Sequence, residues 1–273
     1  MTDAVFASIS DVVQREAGII LQESKRLMIA SRVAKRLKAL NINTFEEYCE
    51  YLSRQGGEGE KDELIGVLTT NVTNFFREKH HFEDFEKHVI PDLMTRARAG
   101  LRVRIWSAGC SIGAEPYSIA LTLLNAWPSC MEADVKVLAT DIDPESLAIA
   151  KRGVYPQDMV HKEVPNEHLR HFQPTDDSHL TVSEDVRSLV SIRPLNLIKP
   201  WPMRGRFSVI FCRNVVIYFG QETTNRVWMN FADRLEPGGR LYIGHSERVK
   251  GAAEAVLEPC GVTAYRLTEG MTP

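Results

Sequence analysis

The chain has 273 residues, of which 44% are hydrophobic and 25% are charged, as expected for a globular protein long enough to form two domains. Thirty-three lysines and arginines stand against 36 aspartates and glutamates, which argues against a protein whose whole surface binds nucleic acid or anionic lipid. Apolar runs stay short of the roughly 20 residues that cross a bilayer, and the N-terminus lacks a signal-peptide pattern. We therefore expect a cytoplasmic enzyme or binding protein without membrane insertion.

The first 80 residues predict an all-helical domain (residues 1–80), because they contain no convincing strand pattern. Thr44 followed by Glu47 is the signature of a capping box at the start of one helix. The predicted helices span residues 10–17, 22–40, 44–53 and 60–69. Residues 81–100 are predicted to form a linker to the next domain.

The second predicted helix carries a stripe of positive charge. Six basic residues and no acidic residue fall between positions 25 and 38: Lys25, Arg26, Arg32, Lys35, Arg36 and Lys38. Such a stripe is ordinarily a solvated face, but it also suits an acidic helical partner through electrostatic steering. Nucleic acid would be attracted too; because the near-neutral domain lacks an aromatic platform for bases, we expect no nucleic-acid partner.

From residue 101 onward, strand and helix patterns alternate. Strands are predicted at 101–107, 135–140, 188–192, 207–212 and 240–244, with helices at 113–127, 144–151 and 221–235. A last strand at 262–267 follows without a crossover helix, so we expect it to be antiparallel. The alternation predicts an α/β domain over residues 101–273, with a mainly parallel sheet that binds ligands at the carboxyl ends of its strands.

Residues 154–187 interrupt this alternation with a segment that is too long for a crossover loop. A hairpin-like pattern lies within it, over residues 171–182. We expect a small antiparallel β insertion that carries a function or a partner surface.

The cysteines and histidines predict no metal site. The five cysteines are scattered and never spaced as CxxC, so neither a disulfide framework nor a thiolate zinc site is expected. His80 and His81 are adjacent, and neighbouring residues on a helix point about 100° apart. We therefore expect these two side chains not to share an ion.

A turn rich in small residues follows the first predicted strand and includes Gly109 and Gly113. Its GxxxG spacing is neither the GxGxxG of dinucleotide-binding folds nor the GxxxxGK[ST] of a phosphate loop. No lysine follows to meet a phosphate. The turn therefore predicts a ligand other than a pyrophosphate.

Polar residues at three strand ends predict an adenosine site. Asp141 ends the second strand, where a carboxylate can accept from both hydroxyls of a ribose, whereas Asp143 is better placed to cap the next helix. Glu115 can take a charged donor such as an ammonium group, and Asn196 offers the donor and acceptor that an adenine edge requires. A ribose without a phosphate grip suggests S-adenosylmethionine, whose sulfonium is positive.

Five motifs carry a resemblance to a known family. They are TTNVTNFFR at 69–77, WSAGCSIGAEPYSIA at 106–120, ATDID at 139–143, FCRNVVIYF at 211–219 and GHSE at 244–247. The chain resembles the CheR-type chemotaxis receptor methyltransferases, which transfer methyl groups from S-adenosylmethionine to glutamates of chemoreceptors. The likeness covers nearly the whole chain, in order.

The resemblance implies a Rossmann-like methyltransferase sheet, a helical N-terminal receptor-recognition domain and the small β insertion. It implies cofactor contacts at Asn71, Thr73, Arg77, Glu115, Asp141, Asn196, Leu197, Arg213 and Asn214. It also implies that the cytoplasmic helical bundle of a chemoreceptor is the partner, with the basic stripe as the candidate contact. Some family members use the β insertion to hold a receptor tail peptide. Here the turn at 175–178 is short, so we expect recognition without that peptide.

The expected chemistry needs positioning more than acid–base help. A glutamate with a pKa near 4.3 is already ionised at pH 7, so no general base is required. Arg77 is the first candidate to handle the receptor carboxylate. Too tight an ion pair between Arg77 and the receptor carboxylate would make that carboxylate a weaker nucleophile. Arg77 is therefore expected to act by positioning or by touching the cofactor. Tyr218 is expected to line the methyl channel, although a packed aromatic would occupy the same position.

Three alternatives stay open at this stage. A binding or signalling module could keep the pocket without turnover. A nicotinamide dehydrogenase is disfavoured by the absent GxGxxG. A nucleic-acid methyltransferase would share the pocket but more often carries Asn/Asp-Pro-Pro-aromatic, where this chain has NVVIY at 214–218.

Overall fold

The computed structural model describes residues 1–54, 57–69 and 73–268. Its N-terminal part contains four α-helices: α1 (Asp3–Ala17), α2 (Arg26–Leu40), α3 (Phe45–Ser53) and α4 (Glu58–Leu68). They enclose a core of their own, in which Ile9, Val13, Val33, Tyr48 and Leu64 are buried. Each helix turns its apolar stripe inward, so the helical prediction for this part of the chain is confirmed.

The predicted cap of α3 is present in a modified form. The Thr44 hydroxyl accepts the backbone N–H of Glu47 at 3.2 Å. The Glu47 carboxylate reaches back to the N–H of Asn43 at 3.2 Å, one residue before the position that a standard capping box uses. Both ends of the motif therefore satisfy a free amide at the helix start.

Residues 80–98 form a helix where the sequence predicted a linker. It consists of α5 (His80–Asp84), a π-helical turn (Phe85–Val89) and α6 (Ile90–Arg98). Phe82, Phe85 and Leu93 are buried in the same core as the central sheet. Apolar residues recur here at helical spacing, so burying that face against the sheet stabilises the helix.

Seven strands form the central sheet, in the order β6-β2-β1-β7-β8-β10-β9. They are β1 (Val103–Ala108), β2 (Val135–Asp141), β6 (Val190–Pro194), β7 (Phe207–Cys212), β8 (Leu235–Ile243), β9 (Leu257–Gly261) and β10 (Ala264–Leu267). The first five are parallel and β10 is antiparallel, as predicted, whereas β9 was missed. The strand order reverses between β1 and β7, which opens a crevice at their carboxyl ends.

Helices cover both faces of the sheet. They include α7 (Ala114–Ala126), α8 (Pro144–Arg152), α10 (Glu184–Leu189) and α11 (Gln221–Arg234), whereas α9 (Gln157–Glu163) packs against the β insertion. Within the described part of the chain, no helix is long and apolar enough to span a bilayer.

The β insertion is present as a separate antiparallel sheet in the order β3-β5-β4. Its strands are β3 (Val154–Pro156), β4 (Phe172–Pro174) and β5 (His179–Val182). The predicted hairpin corresponds to β4 and β5. The Tyr155 hydroxyl donates to the main-chain oxygen of Ile112 at 2.7 Å, which attaches the insertion to the turn after β1.

Candidate functional site

A cleft opens at the carboxyl ends of β1, β2, β6 and β7, and the segment that joins α1 to α2 closes its other side. It brings together nine of the ten residues predicted for the cofactor and the reaction: Thr73, Arg77, Glu115, Asp141, Asn196, Leu197, Arg213, Asn214 and Tyr218. The tenth, Asn71, lies outside the described residues. The side chains therefore converge from five separate stretches of sequence.

The turn after β1 presents backbone to this cleft. Gly109, Ser111 and Gly113 all have positive φ angles, of 85°, 48° and 94°. A Cβ at Gly109 would lie 2.3 Å from a methyl group of Val215, so only glycine allows the two loops to approach this closely. The amide of Gly109 also donates to the carbonyl of Thr140 at 2.8 Å, which ties the turn to the end of β2.

Asp141 lies at the end of β2 and is almost fully buried. Its Oδ2 accepts the N–H of Ser111 at 2.7 Å and its Oδ1 accepts the N–H of Asp143 at 3.0 Å. Burial raises the pKa of Asp141 above its ordinary value, against the lowering effect of the amides of Asp143, Ser111 and Ile142. A carboxylate has about four acceptor positions, so Asp141 keeps acceptor capacity for a ligand hydroxyl.

Asp143, by contrast, caps α8, as the sequence predicted. Its carboxylate accepts the amides of Glu145 and Ser146 at 3.1 and 3.3 Å and the Ser146 hydroxyl at 2.6 Å. The two aspartates of the ATDID motif therefore have different roles. One faces the cleft and the other begins a helix.

Arg213 is buried between two carboxylates at the floor of the cleft. Its Nη1 lies 3.1 Å from Glu115 Oε2 and its Nη2 lies 3.4 Å from Glu78 Oε2, and it also donates to the carbonyl of Arg77. Ser107 donates to the other oxygen of Glu115 at 2.7 Å. Glu115 was predicted to take a charged donor, and the donor it contacts here is Arg213.

Glu78, Glu115 and Arg213 bring two carboxyl groups and one guanidinium together. Burial raises the pKa of Glu115, although Arg213 works in the opposite direction. Burial also opposes ionisation of Glu78, but Arg213 and His245 outweigh it and lower the pKa of Glu78 to about 2. Two carboxyl groups share one guanidinium, so this part of the cleft favours a cation.

Asn196 connects the two parts of the molecule. Its Nδ2 donates to the carbonyl of Glu16, near the end of α1, at 2.6 Å, and its Oδ1 accepts the N–H of Ile198 at 3.1 Å. One amide hydrogen and one oxygen lone pair remain, so Asn196 can still offer the donor and the acceptor that an adenine edge requires. The next residue, Leu197, is buried in the core beneath the cleft.

Glu247 is a residue whose role the sequence did not reveal. Its buried carboxylate accepts four backbone N–H groups, from Gly244 at 2.6 Å, Val215 at 2.9 Å, and Asn214 and Val216 at 3.0 Å. Asn214 adopts a left-handed φ of 61°, which few residues other than glycine tolerate. The carboxylate therefore holds the loop that follows β7. The GHSE motif was the available signal, but a motif alone does not say what its glutamate binds.

Tyr218 is half-buried at the mouth of the cleft. Its carbonyl accepts the N–H of Ile20 at 2.8 Å, and Ile19 forms a bridge with Phe219. The Nζ of Lys25 lies 5.9 Å from the centre of the Tyr218 ring. The segment after α1 therefore packs directly against the loop that carries Tyr218.

The basic stripe is only partly a free surface, which corrects the sequence prediction. Arg26 forms ion pairs with Asp3 and Glu23, and Arg32 donates to the carbonyls that end α4. Arg36 binds Glu60 through two hydrogen bonds of 3.0 and 2.6 Å. The three lysines are exposed: Lys25, Lys35 and Lys38. The arginines reach back to partners in the domain because their forked guanidinium groups can satisfy several acceptors.

Comparisons with known proteins agree with this architecture. Residues 4–69 match the family model described as the CheR methyltransferase all-alpha domain, and residues 71–266 match the CheR methyltransferase SAM binding domain. A probable chemotaxis protein methyltransferase of Rhizobium etli is 46% identical over 94% of this chain and 97% of its own length. A chemotaxis protein methyltransferase of Escherichia coli is 38% identical over 98% of this chain and 92% of its own length.

Proposed function

This chain belongs to the CheR methyltransferase family, and from that premise we propose that its cleft binds S-adenosylmethionine beside a glutamate of a chemoreceptor. The protein is an S-adenosylmethionine-dependent methyltransferase that acts on chemoreceptors. The products are a glutamate methyl ester and S-adenosylhomocysteine. The observation that carries the proposal is the convergence of Asp141, Glu115 and Asn214 on one crevice beside a turn without a phosphate-binding lysine.

The residues of the cleft fit an adenosyl sulfonium. Asp141 keeps acceptor positions for the ribose hydroxyls. The excess carboxylate beside Arg213 suits the positive groups of the ligand. The buried Oδ1 of Asn214 has no hydrogen-bond partner among the described residues, which leaves an acceptor for a ligand donor. Thr73, Asn196 and Leu197 complete the proposed binding set.

The protein's own part in the reaction is orientation. When bound, S-adenosylmethionine supplies an electrophilic methyl group. The receptor glutamate is already ionised at neutral pH, so the protein needs neither a general base nor a metal ion for this step. Arg77 holds the incoming carboxylate from the rim of the cleft, and Tyr218 lines the approach beside it. Placing the reacting groups in line can contribute on the order of 7–11 kcal/mol.

The substrate surface that we propose is the exposed part of α2. Lys35 and Lys38 are exposed on this helix and Lys25 just precedes it, at the edge of the cleft. These charges suit the acidic helices of a cytoplasmic receptor bundle, and they favour fast, salt-sensitive encounter. Because the receptor bundle is cytoplasmic, we place the enzyme in the cytoplasm. We propose no nucleic-acid partner.

We further propose that the β insertion does not require a receptor tail peptide. Its edge strands, β3 and β4, have three residues each, and both end in a proline, Pro156 and Pro174. Proline has no N–H to donate, so these edges offer few main-chain hydrogen bonds to an added strand. Equal methylation rates with full-length and tail-deleted receptor would support this, whereas a loss of rate after deletion would contradict it.

Substitution of Arg77 tests the proposed function. Arg77→Ala should lower the rate of labelled-methyl transfer to a receptor fragment by at least about 100-fold, because misplaced reactants lose the benefit of orientation. The affinity for S-adenosylhomocysteine, measured by calorimetry, should change less than the rate. Arg98→Ala, at an exposed position of α6, is the matched control and should keep the wild-type rate.

Two outcomes would contradict the proposal. If the folded Arg77→Ala variant still transfers methyl groups at the wild-type rate, Arg77 does not position the receptor carboxylate. An inactive wild-type protein that still binds S-adenosylhomocysteine would instead indicate a binding module.

A further inference from the structure

Glu78, His80 and His81 form a cluster of potential metal ligands at the start of α5. Each offers one ligand atom, and these three atoms lie within 4.8 Å of one another. None of the three residues lines the cofactor cleft. The cluster therefore lies beside the cleft and is connected to it through the pair of Glu78 and Arg213.

Buried polar atoms without partners point to a ligand in this cluster. Glu78 Oε2, His80 Nε2 and His81 Nδ1 are all buried, and none has a hydrogen-bond partner among the residues that the structure describes. His81 itself is only 1% exposed. Glu78 Oε2 has an ion pair with Arg213 at 3.4 Å but no hydrogen bond. Buried polar atoms are nearly always hydrogen-bonded in native proteins, so three without a hydrogen bond in one place require an explanation.

The backbone explains how two adjacent histidines can converge. Glu78 has a left-handed φ of 55°, and α5 begins only at His80. The chain therefore turns sharply just before the helix, and the two imidazole rings lie with their centres 4.2 Å apart. The expectation that adjacent helical side chains diverge does not apply at this turn. A strained left-handed residue of this kind is typical of functional sites.

The far side of the His81 ring is already oriented. Its Nε2 lies 3.2 Å from the carbonyl of Val262 and 2.8 Å from the hydroxyl of Thr263. A carbonyl oxygen only accepts, so this contact places the ring proton on Nε2 and leaves the lone pair on Nδ1. Histidine ligands of metals commonly carry such a hydrogen bond to a backbone carbonyl on the other nitrogen.

We propose that Glu78, His80 and His81 bind a divalent transition-metal ion of the zinc type, with water completing the coordination. Two imidazoles and one carboxylate are a common ligand set for Zn²⁺. Ligand atoms around a tetrahedral zinc lie about 3.3 Å apart, given metal–ligand distances near 2.0 Å. The separation between Glu78 Oε2 and His81 Nδ1 is 3.6 Å, so these two ligands need little movement.

Arg213 is the competing cation at this cluster. Its Nη2 lies 3.4 Å from Glu78 Oε2, and its Nη1 binds Glu115 at 3.1 Å. An ion on Glu78 would replace the longer of these two contacts and leave Arg213 with Glu115 and the carbonyl of Arg77. His245, which contacts the other oxygen of Glu78 at 3.1 Å, can remain in place. The ion would thereby fix the turn between Arg77 and α5.

Calorimetric titration with zinc chloride tests the proposal on the full, tag-free chain after treatment with a chelator. The wild type should bind one ion per chain. His80→Ala and Glu78→Gln should each weaken binding by at least about tenfold, because even indirect supports of a metal site contribute that much. His88→Ala is the matched control on the same helical segment, because His88 is exposed, and it should bind as the wild type does.

Cobalt(II) provides a second measurement that does not depend on the variants folding. A tetrahedral site in the wild type should give an intense visible absorption that zinc abolishes. The proposal is overturned if the wild type shows no saturable binding of one ion, or if cobalt gives only the weak spectrum of the hydrated ion. It is equally overturned if folded His80→Ala and Glu78→Gln both bind zinc like the wild type.

Discussion

The carboxylate of Glu247 accepts the backbone N–H of Asn214 at 3.0 Å and thereby joins the end of β8 to the loop that follows β7. The same carboxylate also holds the amides of Val215, Val216 and Gly244. A Cβ at Gly244 would lie 2.5 Å from Asn214 Nδ2, so glycine is required where the two loops meet. One buried side chain therefore sets the geometry of this wall of the cofactor cleft.

Removing the Glu247 carboxylate should destabilise the protein strongly. Glu247→Ala leaves four amides without an acceptor, and an unsatisfied buried donor costs about 1–3 kcal/mol. Because some of these amides can regain water, we expect a loss of about 3–5 kcal/mol in the free energy of unfolding, measured by urea denaturation. Glu254→Ala is the control, since Glu254 is exposed and accepts one amide only, from Gly251. Equal effects of the two substitutions would contradict this account.

The pair of Glu115 and Arg213 should show strong thermodynamic coupling. Arg213→Met leaves the buried Glu115 without its cation, and breaking a buried pair in this way costs about 3–5 kcal/mol. Adding Glu115→Gln removes the uncompensated charge, so the double variant should be more stable than the Arg213→Met variant. A double-mutant cycle of unfolding free energies measures the coupling.

The pH dependence of the same pair has a definite sign. Burial raises the pKa of Glu115, and Arg213 opposes that effect, so Arg213→Met should raise the pKa further. When the pKa of a carboxyl is higher in the folded state than in the unfolded state, the protein loses stability as pH rises from the unfolded-state pKa to the folded-state pKa. The deficit of Arg213→Met, which is its loss in the free energy of unfolding relative to the wild type, should therefore be larger at pH 7.5 than at pH 5. A deficit that stays constant between these pH values would contradict the expectation that Arg213 lowers the pKa of Glu115 within this range.

Part of the site could be predicted from sequence signals that span only a few residues. Asp141 ends a β-branched strand, and Asp143 stands just before a proline at the start of a helix. Gly109 and Gly113 mark a turn that needs positive φ angles. Because these features depend on local backbone conformation, the sequence alone placed them correctly.

Contacts between distant segments were beyond such reasoning. Asn196 and Glu16 are 180 residues apart, and only the folded chain shows that the Asn196 amide holds α1. Glu247 binds amides that lie about 30 residues earlier in the chain. The helix at 80–98 was missed although its apolar residues recur at helical spacing, which is a signal in the sequence itself.

Asp141 should control affinity for the cofactor product. Asp141→Asn removes the charge and replaces one acceptor oxygen with a donor, and a hydrogen bond to a charged group is worth about 1.5–3 kcal/mol. We expect calorimetry to show S-adenosylhomocysteine bound about 10- to 100-fold more weakly. Burial holds the pKa of Asp141 above its ordinary value. As pH is lowered, the affinity of the wild type for S-adenosylhomocysteine should therefore begin to fall at a higher pH than it would if Asp141 were exposed. Unchanged affinity in Asp141→Asn would exclude a ribose contact there.

The basic residues of α2 should separate into two groups by experiment. Arg36 neutralises Glu60, which is buried and also accepts the Tyr48 hydroxyl at 2.7 Å. Arg36→Ala should therefore lower the free energy of unfolding by about 3–5 kcal/mol, because a buried carboxylate loses its cation. Lys35 and Lys38 are exposed, so exchanging both for glutamate should leave the free energy of unfolding within about 0.5 kcal/mol of the wild type.

The lysine exchange should instead change the encounter with the receptor. Reversing two charges on the docking face should lower kcat/KM for receptor methylation, with a difference from the wild type that shrinks as salt is added. Exchanging Lys87, which is exposed on the segment between α5 and α6, for glutamate is the control for net charge alone. If Lys87→Glu lowers kcat/KM as much per charge as the α2 exchange does, the effect is one of overall charge, and α2 is not the docking face. A selective and salt-sensitive loss at α2 would mean that the three arginines hold the helix in place while the lysines meet the substrate.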